Sequence, residues 1–143
     1  MERYLLKDDI WWVGAIDWNV RDFHGYDTVR GTTYNAYLIL DDKITLVDGC
    51  REGFGQEMLA RVRNCCNGHE VDYLVINHVE PDHSGALPEL IQELKPERIF
   101  CSKRAKEALS LYHGAERVAG WDLQVVATGD ELPLGRNTLQ FIE

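Results

Sequence analysis

Four side chains that can bind a metal ion lie within six residues of one another, namely His78, Glu80, Asp82 and His83. In an extended backbone, alternate side chains face the same side, so His78 and Glu80 can converge on one ion. Pro81 cannot continue a strand and turns the chain, which lets Asp82 and His83 approach from another direction. Two imidazoles with two carboxylates suit iron, zinc or manganese, because magnesium and calcium prefer oxygen ligands alone.

Flanking segments indicate how this cluster is positioned. The apolar run Tyr73–Ile76 predicts a buried strand before it, and leucines at helical spacing predict a helix over residues 85–94. The cluster would therefore lie in a loop between a strand and a helix, with Asp82 or Ser84 capping that helix. A single histidine at a strand end is usually an ordinary polar group, but this combination of four ligand residues favours a metal site.

Two further polar residues are candidates for the surroundings of the cluster. His24 lies in a predicted loop, residues 17–33, which is both polar and aromatic, and loops of this length are usually functional or disordered. We expect His24 either to line the metal pocket or to be a surface histidine. Asp48 ends a predicted strand and could orient a metal ligand through a hydrogen bond, although acidic residues commonly close strands.

Composition and charge exclude several classes of protein. The 143 residues, 45% of them hydrophobic, are enough for one domain with a core, and no apolar run is long enough to span a membrane. The net charge of -9 argues against nucleic acids and anionic membranes as partners. The amino terminus has no signal-peptide pattern, and the four cysteines have no C-x-x-C spacing. We therefore expect a cytoplasmic protein with reduced thiols.

The rest of the chain reads as strands, then alternating helices and strands, then strands again. Strands are predicted at residues 3–6, 10–16, 34–40, 44–47, 98–101, 123–127, 132–134 and 138–142, and helices at 54–66 and 103–112. This order fits an α/β fold with a mixed sheet that carries helices on one face. The other face is equally apolar and needs a second layer, so the architecture looks cut short at residue 143.

The stretch NHVEPDHSGALPEL resembles the metal loop of flavodiiron proteins (A-type flavoproteins, rubredoxin:oxygen oxidoreductases), which are iron-binding relatives within the metallo-β-lactamase superfamily. Hydrolases of that superfamily usually carry H-x-H-x-D-H, and Glu80 here replaces the second histidine. A carboxylate adds negative charge and favours iron over zinc. The stretches WNVRDFHGY, GTTYNAYLI and TGDELPLGRNTLQFIE are also similar to that family, so the resemblance spans essentially the whole chain.

The resemblance implies a fold and an activity. The fold is the αββα sandwich of the metallo-β-lactamases, and residues 1–143 would be the amino-terminal portion of that diiron domain. The activity is reduction of O2 to water, of NO to N2O, or of both, at a non-haem diiron site. Electrons would come from FMN, which is resupplied by rubredoxin or a similar donor.

The resemblance also implies roles for individual residues. In the family pattern, His78 and Glu80 bind one iron, and Asp82 and His83 bind the other, although the last histidine is not a ligand in every member. His24 corresponds to a histidine beside the diiron pocket, and we assign it to the catalytic site. Intact members of the family are head-to-tail dimers, so a homo-oligomer is expected.

The chain departs from the family pattern in what it lacks. A later histidine, a bridging aspartate and another histidine are absent, as is the flavodoxin-like domain that carries FMN. We therefore expect the isolated chain to be inactive and to bind metal weakly or substoichiometrically. Two alternatives stay open. One is a zinc hydrolase of the wider superfamily, against which Glu80 counts. The other is a non-catalytic half-domain that buries its apolar sheet face by self-association.

Overall fold

The structure is a computed structural model that describes residues 4–142, so Arg3 of the first predicted strand and the terminal Glu143 lie outside it. The helices are α1 (Gly55–Cys66), α2 (Pro81–Ser84), α3 (Leu87–Leu94), α4 (Lys103–His113) and α5 (Ala115–Ala119). The strands are β1 (Tyr4–Lys7), β2 (Ile10–Trp12), β3 (Ala15–Asp17), β4 (Asp22–Phe23), β5 (Tyr26–Asp27), β6 (Thr32–Tyr34), β7 (Tyr37–Ile39), β8 (Thr45–Val47), β9 (Tyr73–Ile76), β10 (Arg98–Ser102), β11 (Leu123–Val126), β12 (Glu131–Pro133) and β13 (Thr138–Gln140).

A seven-stranded mixed sheet runs through the molecule in the order β1-β2-β7-β8-β9-β10-β11. The strands β1, β2, β7 and β8 pair antiparallel. Short turns join β1 to β2 and β7 to β8, whereas residues 13–36 connect β2 to β7. The strands from β8 to β11 pair parallel, which requires crossover connections, and the helices supply them. The predicted mixed sheet is therefore confirmed.

The two faces of this sheet are buried by different layers. Alternate side chains of a strand point to opposite faces, so Leu74 of β9 packs with Leu59 of α1 in the main core, together with residues of α3, α4 and α5. The neighbouring Val75 faces away from the helices and packs with Phe100 and with Leu134, which follows β12. The predicted arrangement of helices on one face is confirmed, and the β12–β13 ribbon begins a layer on the other.

The predicted continuous strand over residues 10–16 is wrong, because the chain leaves the main sheet at Gly14. A Cβ atom on Gly14 would lie 1.9 Å from the carbonyl oxygen of Tyr34, so only glycine permits this close approach of two backbones. Beyond it, β3 pairs with β6 in a separate two-stranded sheet. The predicted continuous strand over residues 34–40 is also wrong. It is interrupted opposite Gly14, so that Tyr34 ends β6 and Tyr37 begins β7.

The segment predicted as a loop, residues 17–33, contains a small ribbon made of β4 and β5, which pair antiparallel. His24 and Gly25 form its turn, with φ angles of 54° and 77°. Positive φ at both central residues is what a type I′ hairpin turn needs. Residues other than glycine seldom have a positive φ, so a histidine at the first turn position gives little signal for the turn. We call residues 22–27 the His24 ribbon.

The helical region after β9 also differs from its prediction. The helix predicted over residues 85–94 begins only at Leu87, and Pro81–Ser84 forms the separate turn α2. The predicted capping by Asp82 or Ser84 is wrong, because neither α2 nor α3 begins with a side-chain cap. The Ser84 hydroxyl instead donates to the carbonyl oxygen of Val79 at 2.8 Å. Helix α5 is not predicted by the sequence pattern. No helix in the described part of the chain is long and apolar enough to cross a membrane.

Candidate metal centre

The predicted metal ligands follow β9, a strand in the middle of the sheet between β8 and β10. The carboxyl ends of parallel strands are where α/β proteins commonly place their ligands. His78 and Glu80 lie on the extended segment after β9, whereas Asp82 and His83 lie on the helical turn α2 that Pro81 begins. The predicted order of strand and ligand cluster is therefore confirmed, but half of the cluster is helical.

The four side chains form two close pairs. Nε2 of His78 lies 3.6 Å from Oε2 of Glu80, and Nε2 of His83 lies 3.5 Å from Oδ2 of Asp82. The two imidazole rings meet edge to face with their centroids 5.0 Å apart, which brings the pairs together. The structure thus gathers all four predicted residues at one place, in the pairs that the family pattern assigns to separate ions.

His24, in the turn between β4 and β5, also lies beside this cluster. Its Nε2 atom lies 3.7 Å from Oε2 of Glu80, and one ligand atom from each of His24, Glu80 and Asp82 lies within 4.8 Å of the others. Two ligands of one ion are separated by about 3–4 Å, since each bond is about 2 Å long. The turn of the His24 ribbon therefore brings a third imidazole to the cluster, 54 residues from His78 in sequence.

Two atoms of the cluster are buried and, within residues 4–142, unsatisfied. Oδ1 of Asp82 and Nδ1 of His83 are buried and have no hydrogen-bond partner among the described residues. Leaving such an atom unsatisfied costs about 1–3 kcal/mol. The other three side chains keep about half of their surface exposed, with 53% for His24, 47% for His78 and 53% for Glu80. A buried, unsatisfied carboxylate oxygen on Asp82 beside three half-exposed side chains with ligand atoms fits a metal ion.

Asp48 supports the cluster from behind. It is 5% exposed, and its Oδ1 atom accepts hydrogen bonds from the backbone nitrogens of Asn77 at 2.7 Å and His78 at 2.8 Å. Its Oδ2 atom lies 3.8 Å from Nδ1 of His83. Burial raises the pKa of Asp48, although the two backbone hydrogen bonds and the facing imidazoles act in the opposite direction. This geometry agrees with the predicted orienting role of Asp48.

His113, which the sequence pattern does not single out, holds the α2 turn from its outer side. Its Nε2 atom lies 3.0 Å from the carbonyl oxygen of Ser84, and its ring packs against Trp121. Burial lowers the pKa of His113, against the opposing effect of the bond to Ser84. The imidazole is therefore neutral near pH 7, with Nε2 donating. Because 29 residues separate the two partners, no local pattern could have revealed this contact.

A cleft of about 980 Å³ lies elsewhere, beside the β7–β8 turn and the end of α1. Two of the carboxylates that line it already have cationic partners. Asp9 lies 2.7 Å from Arg136, and Asp72 lies 2.9 Å from Lys43. Carboxylates paired in this way are poor ligands for an ion, whereas His24, Glu80 and Asp82 bring ligand atoms within 4.8 Å of one another, so we favour that cluster as the functional site.

The chain is similar to known proteins along nearly its whole length. A model of the ODP family beta lactamases matches residues 32–143. The rubredoxin-oxygen oxidoreductase of Megalodesulfovibrio gigas is 44% identical over 100% of this chain and 35% of its own length, and the nitric oxide reductase of Moorella thermoacetica is 42% identical over 96% and 34%. The crystal structure of the flavodiiron protein from Giardia intestinalis superposes with a TM-score of 0.88 at 32% identity, covering 98% of this chain and 34% of that one. The chain spans about a third of the length of the curated relatives that it matches.

Proposed function

Because the chain belongs to the ODP beta-lactamase family, we propose that residues 1–143 form the amino-terminal part of the diiron domain of a flavodiiron oxidoreductase. The family resemblance and the metallo-β-lactamase-like fold expected from the sequence are confirmed by the family match and by the superposition on a flavodiiron protein. In our proposal, the intact protein reduces O2 to water or NO to N2O. The names of the two relatives above support this choice of substrates.

One observation carries the proposal. It is the convergence of His24, Glu80 and Asp82 within 4.8 Å, with His78 and His83 adjacent to the two carboxylates. Imidazoles mixed with carboxylates are the ligands of non-haem iron. Iron bound in this pocket would supply the electrons that reach the gas and the positive charge that stabilises the reduced product.

Each residue then has a defined task. His78 and Glu80 would hold one iron, and Asp82 and His83 the other. His24 lies across Glu80 from His78, where its Nε2 atom can hydrogen bond to a substrate oxygen or deliver a proton to it. The placement of these five residues and the family pattern support these proposed roles. Asp48 and His113 would keep the two ligand segments in place.

The proposal includes groups that lie outside residues 1–143. Three further ligands, FMN and a rubredoxin-like donor would be needed for turnover, and the relatives are about three times as long as this chain. With an incomplete ligand set, we expect this chain alone to bind iron weakly. We also propose a cytoplasmic location and a homo-oligomeric state for the intact protein, both of which follow the flavodiiron family.

Metal content is the test of this function. The chain is purified anaerobically with iron and zinc both supplied, and metal per chain is measured by elemental analysis. We expect substoichiometric iron that falls further in His78→Ala and stays unchanged in His69→Ala, a histidine that lies outside the cluster at the far end of the sheet. Two irons per chain would mean that a second copy completes the site. Stoichiometric zinc with hydrolytic turnover would replace the proposal by a zinc hydrolase.

A further inference from the structure

A buried hydrogen bond lies beneath the His24 ribbon. The hydroxyl of Tyr34, a fully buried residue, donates to Oδ2 of Asp17 at 2.9 Å. The other carboxylate oxygen, Oδ1, accepts from the backbone nitrogens of Asn19 at 3.0 Å and Val20 at 3.1 Å. Asp17 ends β3 and Tyr34 ends β6, so this one pair closes both ends of the segment that carries His24.

The protonation states of the pair suit this bond. Burial tends to raise the pKa of Asp17, but the bonds from Asn19, Tyr34 and Val20 outweigh it and hold the pKa below its ordinary value of 3.8. Burial is also the main reason why the pKa of Tyr34 lies above its ordinary value. At neutral pH, therefore, an ionised carboxylate accepts a bond from a protonated phenol, which is a strong, charge-assisted hydrogen bond.

A column of rings connects Tyr34 to the imidazole of His24. The Tyr34 ring packs between Phe54, with centroids 5.2 Å apart, and Phe23, with centroids 6.1 Å apart. Phe23 in turn meets the His24 ring edge to face at 4.2 Å. A displacement of the Tyr34 ring would consequently reach His24 through a single intervening side chain.

The same pair is joined to the segment that supports the other ligands. Nη1 of Arg51 lies 3.4 Å from the Tyr34 hydroxyl and 3.7 Å from Oδ2 of Asp17. Arg51 belongs to the connection between β8 and α1, and that connection begins with Asp48, which holds His78. The cluster of Asp17, Tyr34 and Arg51 thus links the two parts of the molecule that meet at the metal centre.

We propose that Tyr34 is a positioning residue for His24, because its hydroxyl closes the base of the segment and its ring supports Phe23 beneath the imidazole. The placement of the His24 ribbon is a property of the chain itself. The consequence for the metal rests on the function proposed above, so the two are tested by separate measurements.

The first measurement is amide hydrogen exchange without metal. Tyr34→Phe removes the hydroxyl and keeps the ring, and Tyr73→Phe is the matched control, since Tyr73 is also buried but lies on the opposite side of the sheet against Phe100. We expect about tenfold faster exchange at the amides of Asn19, Val20 and Thr28 in Tyr34→Phe alone, because the loss of one hydrogen bond to a charged group has about that effect. Unchanged exchange at these amides, or equal acceleration across the whole chain, would overturn the proposal.

The second measurement is a double-mutant cycle with Co²⁺ as the probe, read from its visible absorption. Affinity is compared among the natural chain, Tyr34→Phe, His24→Ala and the double variant. The Nε2 atom of His24 lies 3.7 Å from Oε2 of Glu80, which is close enough for the imidazole to contribute to Co²⁺ binding as well. If Tyr34 acts through His24, Tyr34→Phe weakens Co²⁺ binding severalfold in the natural background and has no further effect when His24 is absent. An unchanged affinity in Tyr34→Phe, with a lower one in His24→Ala, would contradict the proposal, and so would equal weakening in both backgrounds. If no variant binds Co²⁺, the metal function assigned to this chain fails, and the exchange result still decides the role of Tyr34.

Discussion

Asp48, which follows β8, accepts a hydrogen bond from the backbone nitrogen of His78 at 2.8 Å and so fixes the chain just after the parallel neighbour β9, at the first proposed metal ligand. The same carboxylate accepts from Asn77 and faces the ring of His83. Asp48 has a φ of 63°, a backbone conformation that is uncommon outside glycine and asparagine. Asp48 therefore fixes the backbone at Asn77 and His78, places a carboxylate beside His83, and itself has an uncommon backbone conformation.

Replacement of Asp48 should separate its hydrogen bonds from its charge. Asp48→Asn keeps an acceptor and tolerates positive φ, whereas Asp48→Ala leaves two backbone donors unsatisfied. We expect Asp48→Ala to lower the free energy of unfolding by about 2–4 kcal/mol and Asp48→Asn by about half as much or less. Urea denaturation measures both. Asp122→Ala is the control for backbone strain, since Asp122 is exposed and has a similar φ of 49°. If Asp48→Ala and Asp122→Ala lowered the free energy of unfolding equally, the hydrogen bonds of Asp48 would not account for the loss.

The candidate metal site is predictable from the sequence where its residues are close together in the chain. The apolar run Tyr73–Ile76 gives β9 with its bounds unchanged, and the four ligand residues follow within the next seven positions. Hydrophobic periodicity and ligand chemistry are enough for this part. The predicted roles of the ligands stay predictions, because they depend on an ion.

The parts that the sequence does not reveal depend on contacts between distant segments. The division of the predicted strand over residues 10–16 depends on how closely Gly14 approaches Tyr34. The turn at His24 and Gly25 has a histidine where asparagine or aspartate would signal a type I′ turn. The contact between His113 and Ser84 and the bond between Tyr34 and Asp17 likewise join residues that are far apart in sequence. Such contacts follow from the packing of the whole fold and from no local pattern.

Acid should weaken the attachment of the β12–β13 turn to the main sheet. The Asp41 carboxylate accepts hydrogen bonds from the backbone nitrogens of Arg136, Asp42 and Asn137, and these hold its pKa well below the ordinary value of 3.8. Because the pKa of Asp41 is lower in the folded chain than in the unfolded chain, the unfolded chain is protonated first as the pH falls. The stabilisation is therefore complete above pH 4 and is lost as the pH falls below it.

The test of this attachment compares urea midpoints at pH 5, 4 and 3 for the natural chain and Asp41→Asn. We expect the midpoint of the natural chain to fall more steeply with acid than that of the variant, which lacks the titrating group. Asp42→Asn, a change at the exposed neighbouring carboxylate, is expected to keep the steep dependence. A variant at Asp41 with the same slope as the natural chain would contradict the assignment.

The thiols should be unreactive in the folded chain. All four cysteines are buried, and burial raises the pKa to about 12 for Cys50 and to about 11 for Cys66 and Cys101. Because the thiolate is the reactive species, we expect the rate of modification by a disulfide reagent at pH 8 to rise at least about a hundredfold when the chain is unfolded in urea. Rapid labelling of one thiol under native conditions, counted by mass spectrometry, would show that its segment opens locally.

Glu80 should decide which metal the pocket prefers. Its Oε2 atom lies 3.6 Å from His78 and 3.7 Å from His24, so a third imidazole in its place would give the pocket an all-nitrogen ligand set on that side. Glu80→His also recreates the H-x-H-x-D-H pattern of the hydrolases. Nitrogen ligands without the carboxylate charge favour zinc, so we expect the zinc-to-iron ratio to rise several-fold when both metals are supplied in equal amounts. Glu70→His adds the same side chain at an exposed position outside the cluster and should leave the ratio unchanged. An unaltered ratio in Glu80→His would mean that Glu80 is not a ligand, and would leave His24 and Asp82 without the carboxylate that joins them.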